Sequence, residues 1–382
     1  MKDQIPGDLI TDILRMLPLS ACIARFRCVS KLWRDLLCDP SFIQQNLSSS
    51  RSDDIIMLTN VDGEPSTVYS LLFPDTLEPL HHQQLLPFNP DRHHHPIVQV
   101  AGCCNGLFCI IDDKCENEGH DVILWNPATS ETKVLPPSPF FYPHLFINAV
   151  GFGFDSEQND FKIVRQLMNP LLRWWSCVLE VYSLKNNCWR KLDDDNAGGY
   201  HPQLPFWQIS QFHRGKLYWR QSSKDVGGRG TLVFDSFDLV SQSFERVEVP
   251  HPSAKLGFYV SGYSFKEDSM LVVFPIYDHM LGADTSWEIW ILLKCWRSES
   301  WIKLFVITTP PEMQFRFIGL TTNLKCFFVA TTRRSYKGFN YDGDDSCFLV
   351  FHPDTGRIGR DLKVMWDEVI SYRPSQISLQ DY

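Results

Sequence analysis

The residues best suited to chemistry are histidines and cysteines in the first third of the chain. The run His93 to His95 precedes four cysteines, which are Cys103, Cys104, Cys109 and Cys115. Imidazole and thiolate are ligands that zinc prefers, so the group suggests a metal site. Its spacing matches no zinc signature, and no two cysteines of the chain are separated by two residues. We therefore expect no metal and interpret the group as a polar loop beside strand cysteines.

Two glycine-containing segments invite a nucleotide-binding or catalytic interpretation. Gly151 to Phe154 lacks a third glycine and a following helix, so it is typical of a strand rather than a dinucleotide cradle. Gly227 to Gly230 has no Lys-Ser or Lys-Thr after it, so it predicts a hairpin tip. The nucleophile pattern G-x-S-x-G is absent. We expect no catalytic residue and no cofactor, and a hydrolase or oxidase is the rival interpretation.

The length of the chain, 382 residues, favours one small and one large domain over a single core. Hydrophobic residues make up 44% of the sequence, which is enough for globular packing. The twelve cysteines are scattered and predict small apolar residues of a reducing compartment. Met1 to Thr11 lacks the apolar core of a secretory signal, and runs such as Met270 to Phe274 are too short to span a bilayer. We expect a cytoplasmic protein without a membrane segment, with the nucleus as a second location.

The charge of the chain is unevenly distributed. Residues 1–46 contain six basic and five acidic side chains and have a net charge of +1. The rest of the chain has 30 basic and 40 acidic residues and a net charge of −10, which gives the formal total of −9. An acidic surface disfavours nucleic acid, because phosphate binding depends on basic side chains. It favours a basic protein partner.

The first region of the chain has the periodicity of short helices. Five apolar residues follow the spacing of one helix face, namely Leu9, Ile10, Ile13, Leu14 and Leu17. Pro6 and Pro18 suit the start and the end of this helix, and Ser20 and Ser30 can cap a second and a third. Three short helices cannot bury all of these apolar residues among themselves. The surplus indicates a partner surface, although packing on the rest of the chain explains the pattern equally well.

From residue 55 onward the pattern changes to short β-branched and aromatic runs separated by turn residues. A strand, a polar turn and a second strand recur at steps of 52 to 61 residues, measured between Trp125, Tyr182, Phe234, Trp290 and Phe351. A further hairpin precedes each copy, so each step predicts a four-stranded sheet. A repeat of about 50 residues is the spacing of a kelch-like β-propeller. A large β-sandwich is the alternative, but it does not explain the regular spacing.

Five blades are recognisable in this way. A sixth requires either Val68 to Phe73 or Ile97 to Ala101, joined by the C-terminal segment Ile377 to Leu379. Pairing the two ends of the domain would close the ring and remove exposed strand edges. We therefore expect an α+β protein of two domains, with helices in residues 1–47 and an all-β kelch-like propeller of six blades in residues 55–382.

The helical region resembles an F-box, the motif by which substrate receptors dock on the Skp-type adaptor of SCF ubiquitin ligases. The resemblance is carried by Ile5-Pro6, Leu9, Ile13-Leu14, Leu17-Pro18 and the segment Arg25 to Arg34. Gly7 replaces the glutamate that is usual in the family, and the segment after Pro18 lacks the usual basic residue. The resemblance implies that the adaptor is bound by Ile5, Pro6, Leu9, Ile13, Leu14, Leu17, Pro18, Val29 and Trp33.

The β region resembles the F-box-associated domain of plant F-box proteins. The matching segments are Cys104 to Leu107, Leu124 to Thr129, Leu135 to Pro137, Gly151 to Asp155, Asn159 to Val164, Glu180 to Leu184 and Trp189-Arg190. Within that class, Leu135 to Phe140 and Trp287 to Lys303 are similar to the S-locus F-box branch, which recognises pollen-rejecting ribonucleases in self-incompatibility. Relatives outside the S-locus, some linked to immune-receptor turnover, contain the same segments.

The two resemblances imply a substrate-recognition subunit of an SCF-type ubiquitin ligase, joined through the Skp adaptor to a cullin and a RING protein. Such a receptor supplies proximity and no chemical group. An F-box scaffold or inhibitor that does not promote turnover is the alternative. The residues that bind the target are unknown, and the candidate loops are Ser138 to Phe146, Asn169 to Ser176, Ala197 to Trp207, Asp278 to Ser286 and Arg333 to Asp345.

Overall fold

The structure is a computed structural model. It describes residue 31 and residues 55–60, 68–72, 84–85, 97–113, 120–140, 146–168, 177–192, 208–220, 231–250, 262–266, 269–278, 283–295, 298–308, 313–321, 324–332, 346–359, 368–372 and 377–380. The three predicted helices of residues 1–47 lie outside these ranges, apart from Lys31. Within the described residues, no helix is long and apolar enough to cross a membrane.

The described strands form six sheets, numbered here along the chain. Sheet 1 contains β1 to β3 and the last strand, β25, at Ile55–Asn60, Val68–Leu72, Gln84–Leu85 and Glu368–Tyr372. Sheet 2 contains β4 to β7, at Ile97–Cys104, Leu107–Asp113, His120–Asn126 and Glu131–Val134. Sheet 3 contains β8 to β12, at Phe146–Asp155, Asp160–Met168, Cys177–Ser183, Cys188–Lys191 and Gln208–Ile209.

The remaining three sheets follow the same order along the chain. Sheet 4 contains β13 to β16, at Gln211–His213, Lys216–Arg220, Thr231–Asp238 and Ser243–Pro250. Sheet 5 contains β17 to β20, at Gly262–Lys266, Ser269–Asp278, Ala283–Cys295 and Ser298–Thr308. Sheet 6 contains β21 to β24, at Met313–Leu320, Cys326–Thr332, Ser346–His352 and Arg357–Gly359.

Sheets 2 to 6 confirm the five predicted double hairpins. In each of them, four strands that are consecutive in the chain pair as antiparallel neighbours, and β12 adds a parallel edge to sheet 3. Two of the described hairpins turn in two residues, Asn105-Gly106 and Arg214-Gly215, and all four residues have positive φ. Two-residue hairpins need this conformation, because its twist matches that of the flanking strands.

The prediction for the two ends of the domain was partly wrong. Of the two candidates for the sixth sheet, Val68–Leu72 does pair in one sheet with strands that include a C-terminal strand. The other candidate, Ile97–Cys104, is the first strand of sheet 2. The C-terminal strand is Glu368–Tyr372 rather than Ile377 to Leu379.

The segment Ile377 to Leu379 instead lies against sheet 2 and is held there by side chains. The amide of Asn126 donates to the carbonyl of Ile377 (2.7 Å), and the carboxylate of Glu131 accepts from the backbone N–H of Leu379 (2.6 Å). Leu379 is buried in the core of sheets 2 and 3. The alternating Ile377 and Leu379 resembled a strand, but side chains replace the ladder partners of the backbone here.

The described residues divide into two compact units, one containing β1 to β3 and sheets 2 to 4, and the other containing sheets 5 and 6. In the first unit, one apolar cluster fills the space between sheets 2 and 3 and a second cluster fills the space between sheets 3 and 4. In the other unit, a third cluster joins sheets 5 and 6 around Trp287. Each of sheets 2 to 6 therefore buries a face against a sheet that neighbours it in the sequence, and this burial is the main source of stability.

Two glycines of β8 allow sheets 3 and 4 to approach closely. A Cβ atom on Gly151 would lie 2.6 Å from Cζ2 of Trp219, and one on Gly153 would lie 2.4 Å from Cδ2 of Phe212. Phe152 points to the opposite face, into the core shared with sheet 2. The pattern Gly-Phe-Gly-Phe is thus a strand with one closely packed face, as the sequence predicted.

We expect Gly151→Val to lower the free energy of unfolding by about 1–3 kcal/mol, because the added side chain overpacks a full interface. Chemical denaturation measures the change. Gly102→Ala is the matched control, because a Cβ atom on Gly102 would meet its nearest neighbour, Cβ of Phe152, at 3.4 Å. Equal stability of the Gly151→Val variant and the unmodified protein would contradict the close packing.

A buried ion pair of sheet 3 lies at the same interface. The ammonium of Lys162 on β9 donates to the carboxylate of Asp155 at the end of β8, and it crosses the interface by donating to the carbonyl of Leu239 in the turn between β15 and β16 (3.1 Å). Burial alone would raise the pKa of Asp155, but hydrogen bonds from Lys162 and from the N–H groups of Gln158 and Glu157 hold this pKa below its ordinary value. The carboxylate therefore remains charged in the folded protein under acidic conditions where a free aspartate would be protonated.

This shift predicts the direction of the acid dependence. Because the folded pKa of Asp155 is lowered, its contribution to stability is complete above the ordinary value of about 3.9 and is lost as the pH falls through the lowered pKa. We expect the difference in stability between the unmodified protein and the double variant Asp155→Asn, Lys162→Gln to shrink between pH 5 and pH 2. Thermal unfolding across this range measures it, and a constant difference would contradict the prediction.

Candidate functional site

The residues predicted to bind the adaptor lie outside the described part of the structure. This holds for Ile5, Pro6, Leu9, Ile13, Leu14, Leu17, Pro18, Val29 and Trp33. Of the five candidate target loops, the structure describes residues 138–140, 146, 278 and 283–286. Residues 278 and 283–286 belong to β18 and β19, so the described loop surface is the segment that begins the first candidate loop.

The start of that loop, together with the two prolines before it, forms a segment from Pro136 to Phe140 that is called the strap here. The strap follows β7 of sheet 2 and runs along sheet 3. Its start is fixed by the preceding residue, because the N–H of Leu135 donates to the carbonyl of Val122 (2.9 Å). The indole N–H of Trp189 donates to the carbonyl of Pro136 (2.8 Å), and the hydroxyl of Ser138 donates to the carboxylate of Glu180 (2.7 Å). Three hydrogen bonds therefore fix the strap in one position.

The carboxylate that holds Ser138 is itself held by a buried arginine. Oε2 of Glu180 lies 2.6 Å from a terminal guanidinium nitrogen of Arg165 and accepts a hydrogen bond from Nε of the same side chain (2.7 Å). The side chain of Glu180 is fully buried and that of Arg165 is 10% exposed. With Oε2 bound by Arg165 and Oε1 bound by Ser138, the carboxylate has partners on both oxygens, as a buried charge requires.

Trp189 connects this ion pair to the strap. The guanidinium carbon of Arg165 lies 4.0 Å from the centroid of its indole ring, which is within the range of a cation–π contact. The ring also packs against Tyr182, with a centroid distance of 5.1 Å. One rigid aromatic side chain thus orients the arginine and, through its N–H, the start of the strap.

The outer side of the strap is apolar and exposed. Pro137, Pro139 and Phe140 are exposed, and so is Val134 at the end of β7. Three large hydrophobic side chains of the described residues are exposed, and two of them, Val134 (59%) and Phe140 (37%), lie within seven residues of each other here. A fixed apolar surface of this kind can bind another protein.

The structure describes three cysteines of the histidine and cysteine group, Cys103, Cys104 and Cys109, and two of them are poor candidates for metal ligands. Cys104 and Cys109 are buried among the apolar residues of sheet 2, and burial raises the pKa of both thiols. A raised pKa disfavours the thiolate that binds metal. His93 to His95 and Cys115 lie outside the described residues, and no group of three potential ligands occurs within them.

Sequence reasoning identified the strap as the start of a candidate loop but missed the residues that position it. Glu180 stands between Leu179 and Val181, and Arg165 stands near Val164 and Leu167, within apolar strands. A charged residue inside an apolar strand was the available signal, because such a residue needs a buried partner. Only the pairing of β9 with β10 shows that the two charges lie opposite each other.

We expect Ser138→Ala to release the strap locally. The hydroxyl of Ser138 also accepts from the N–H of Phe140 (3.2 Å), so its loss removes the partner of that amide. Amide hydrogen exchange at Ser138 and Phe140, the two residues of the strap that have a backbone N–H, should become about five-fold faster, the equivalent of one hydrogen bond of about 1 kcal/mol. Mass spectrometry measures the exchange. Ser241→Ala, at an exposed turn of sheet 4, is the matched control, and unchanged exchange in the Ser138→Ala variant would contradict the anchoring.

Comparison with known families adds to this geometry. Residues 56–379 match the model of the F-box associated beta propeller domain, and residues 3–45 match the model of the F-box domain. The chain is 26% identical to F-box protein At5g42460 of Arabidopsis thaliana, covering 91% of this chain and 88% of that protein. It is 23% identical to F-box protein CPR1 of the same plant, covering 99% of this chain and 85% of that protein. The chain is also 23% identical to the putative F-box/kelch-repeat protein At3g17570 of Arabidopsis thaliana, and the alignment covers 100% of this chain and 97% of that protein.

Proposed function

Because the chain belongs to the family of F-box proteins with an F-box-associated β-propeller domain, we propose that it is the substrate-recognition subunit of an SCF-type ubiquitin ligase. The observation that supports this function is the order of the two matches, with a short F-box at residues 3–45 followed by a propeller at residues 56–379. A docking motif joined to a large binding domain is the organisation of an adaptor. The fold by itself would also be compatible with an enzyme.

The F-box would bind a Skp adaptor through the apolar side chains named in the sequence analysis. In this proposal, Ile5, Leu9, Ile13, Leu14 and Leu17 form one helix face, and the residues around Val29 and Trp33 extend it. The contact links the chain to a cullin and a RING protein. Ubiquitin transfer to a bound target then depends on proximity and orientation, and this chain contributes no reacting group.

The propeller would hold the target. Six sheets among the described residues favour six blades, with the first sheet shared by strands from both ends of the domain. The −10 charge of the region after residue 46 favours a target with a basic surface, because complementary charge accelerates association. The similarity of the strap region to the S-locus F-box branch makes S-ribonucleases one candidate class of target. The cytoplasm, and secondarily the nucleus, is the compartment in which this function would be exercised.

A second function that follows from the same domains is that of a scaffold or inhibitor which binds the adaptor and the target without promoting turnover. Deletion of the chain distinguishes the two functions. A bound partner should accumulate after deletion if the chain is a degradative receptor, and its level should stay constant if the chain is a scaffold.

The adaptor contact is tested by Leu14→Asp. The substitution places a charge in an apolar interface, where an unpaired charge costs several kcal/mol. We expect co-purification with a Skp adaptor to be lost while the circular dichroism and the thermal unfolding of the propeller remain unchanged.

Val306→Asp is the matched control, because it introduces the same charge at a propeller residue that is 53% exposed. This variant should bind the adaptor normally. Undiminished adaptor binding by the Leu14→Asp variant would rule out docking through this helix face.

A further inference from the structure

We infer that the strap and Lys191 of β11 together form a docking surface for an extended target segment that carries an apolar side chain and a nearby carboxylate. The inference rests on the proposed receptor function and assigns it a place on the propeller. The strap supplies the apolar half of this surface, and the edge of sheet 3 supplies the charge.

The apolar half is suited to binding because it is already ordered. Pro137, Pro139 and Phe140 are exposed, yet the backbone that carries them is fixed through Trp189 and Ser138. Proline and an anchored phenylalanine lose little conformational freedom when a partner binds, so a larger part of the contact energy appears as affinity. Aromatic residues on such fixed positions are frequent energetic centres of interfaces.

The charged half follows from the register of sheet 3. Glu180 is paired with Arg165 on one side and with Lys191 on the other, so one row across the sheet contains two cations and one carboxylate. Residues that face each other in this way point to the same side of the sheet. That side is the one on which Arg165 contacts Trp189 and Glu180 binds the strap.

The single carboxylate of this row is already occupied. Arg165 binds one oxygen of Glu180 and Ser138 binds the other, whereas Lys191 is exposed and has no carboxylate partner among the described residues. Lys191 therefore provides a positive charge next to the strap that no described carboxylate balances. A partner that offers a carboxylate at this position completes the row, and this charge complementarity selects an acidic residue in the docked segment.

This local preference is compatible with a target that is basic as a whole. The net charge of a protein acts over long distances and mainly changes the association rate, whereas one ion pair at an interface acts in the bound state. The docked segment would therefore be an acidic and apolar stretch on the target, and the remaining surface of the target can be basic.

The test uses the full chain, purified in complex with a Skp adaptor, and an array of synthetic twelve-residue peptides. One set carries a central Phe or Leu and one Glu at one to five residues from it. The second set has Gln in place of Glu, and the third has Lys. We expect binding to the first set to exceed binding to the other two by about ten-fold, equivalent to about 1.4 kcal/mol.

Two substitutions separate the two halves of the surface. Phe140→Ser should weaken binding of the first set by about ten-fold, as expected for an interface anchor. Lys191→Glu should reverse the charge preference of the surface, because a carboxylate at this position attracts a cation. Peptides with Lys should then bind better than peptides with Glu. Val306→Ser, at an exposed apolar residue of sheet 5, is the matched control and should leave binding unchanged.

The inference is overturned if no set binds, if both variants bind the first set like the unmodified chain, or if Lys191→Glu leaves the preference for Glu intact. Failure of the receptor function is a separate result, because it would appear as loss of adaptor binding in the unmodified chain. If the unmodified chain still binds the adaptor but none of the peptide sets, the proposed docking surface is wrong while the receptor function stands.

Discussion

The fit between neighbouring sheets is the constraint on which the described structure depends. Sheets 2, 3 and 4 pack on one another in that order in one unit, and sheets 5 and 6 pack on each other in the second unit. Aromatic and branched side chains fill the space between the packed sheets. At the contact of sheets 3 and 4 there is no room for a side chain, so Gly151 and Gly153 are required by the closeness of Trp219 and Phe212. Because interiors are packed to crystal density, a misfit at one such contact is transmitted to the sheets on both sides.

The same interfaces contain the buried charges of sheet 3, and these have different consequences on its two faces. On the face toward sheet 4, Lys162 donates to Asp155 and to the carbonyl of Leu239 in the turn after β15. This ion pair therefore helps to hold sheets 3 and 4 together. On the face toward sheet 2, Arg165 neutralises Glu180, and Glu180 then fixes the strap. A buried ion pair adds little stability compared with apolar residues, but it imposes a definite geometry. That geometry makes an exposed proline-rich segment rigid.

Under the proposed receptor function, the chain can change its target without changing its fold. The anchors of the strap face inward, whereas Pro137, Pro139 and Phe140 face outward. Substitution of the exposed residues would alter recognition while the core contacts of Trp189, Arg165 and Glu180 stay the same. Binding function commonly resides on such connecting segments, because they tolerate substitution better than the elements they join.

Much of this protein could be predicted from the sequence. The alternation of β-branched and aromatic residues with turn signals, repeated at steps of 52 to 61 residues, determined five of the six sheets, since strand pairing within a hairpin is local. The motif from Ile5 to Arg34 likewise indicated the F-box, which the family comparison supports. The choice of the C-terminal strand was wrong, because Glu368–Tyr372 and Ile377 to Leu379 both alternate and only tertiary contacts distinguish a ladder from the side-chain bonds of Asn126 and Glu131.

The tertiary structure alone decided which residues position the strap. Arg165, Glu180 and Trp189 span 24 residues of the sequence, and Trp189 is 53 residues from Pro136, whose carbonyl it binds. No periodicity links them, since the ion pair depends on the register of two strands and the indole contact depends on how sheet 3 packs on sheet 2. The sequence by itself determined the repeating sheets and the docking motif, because both arise from local patterns. The position of the proposed target-binding surface depends on long-range pairing, which the chain acquires only when it folds.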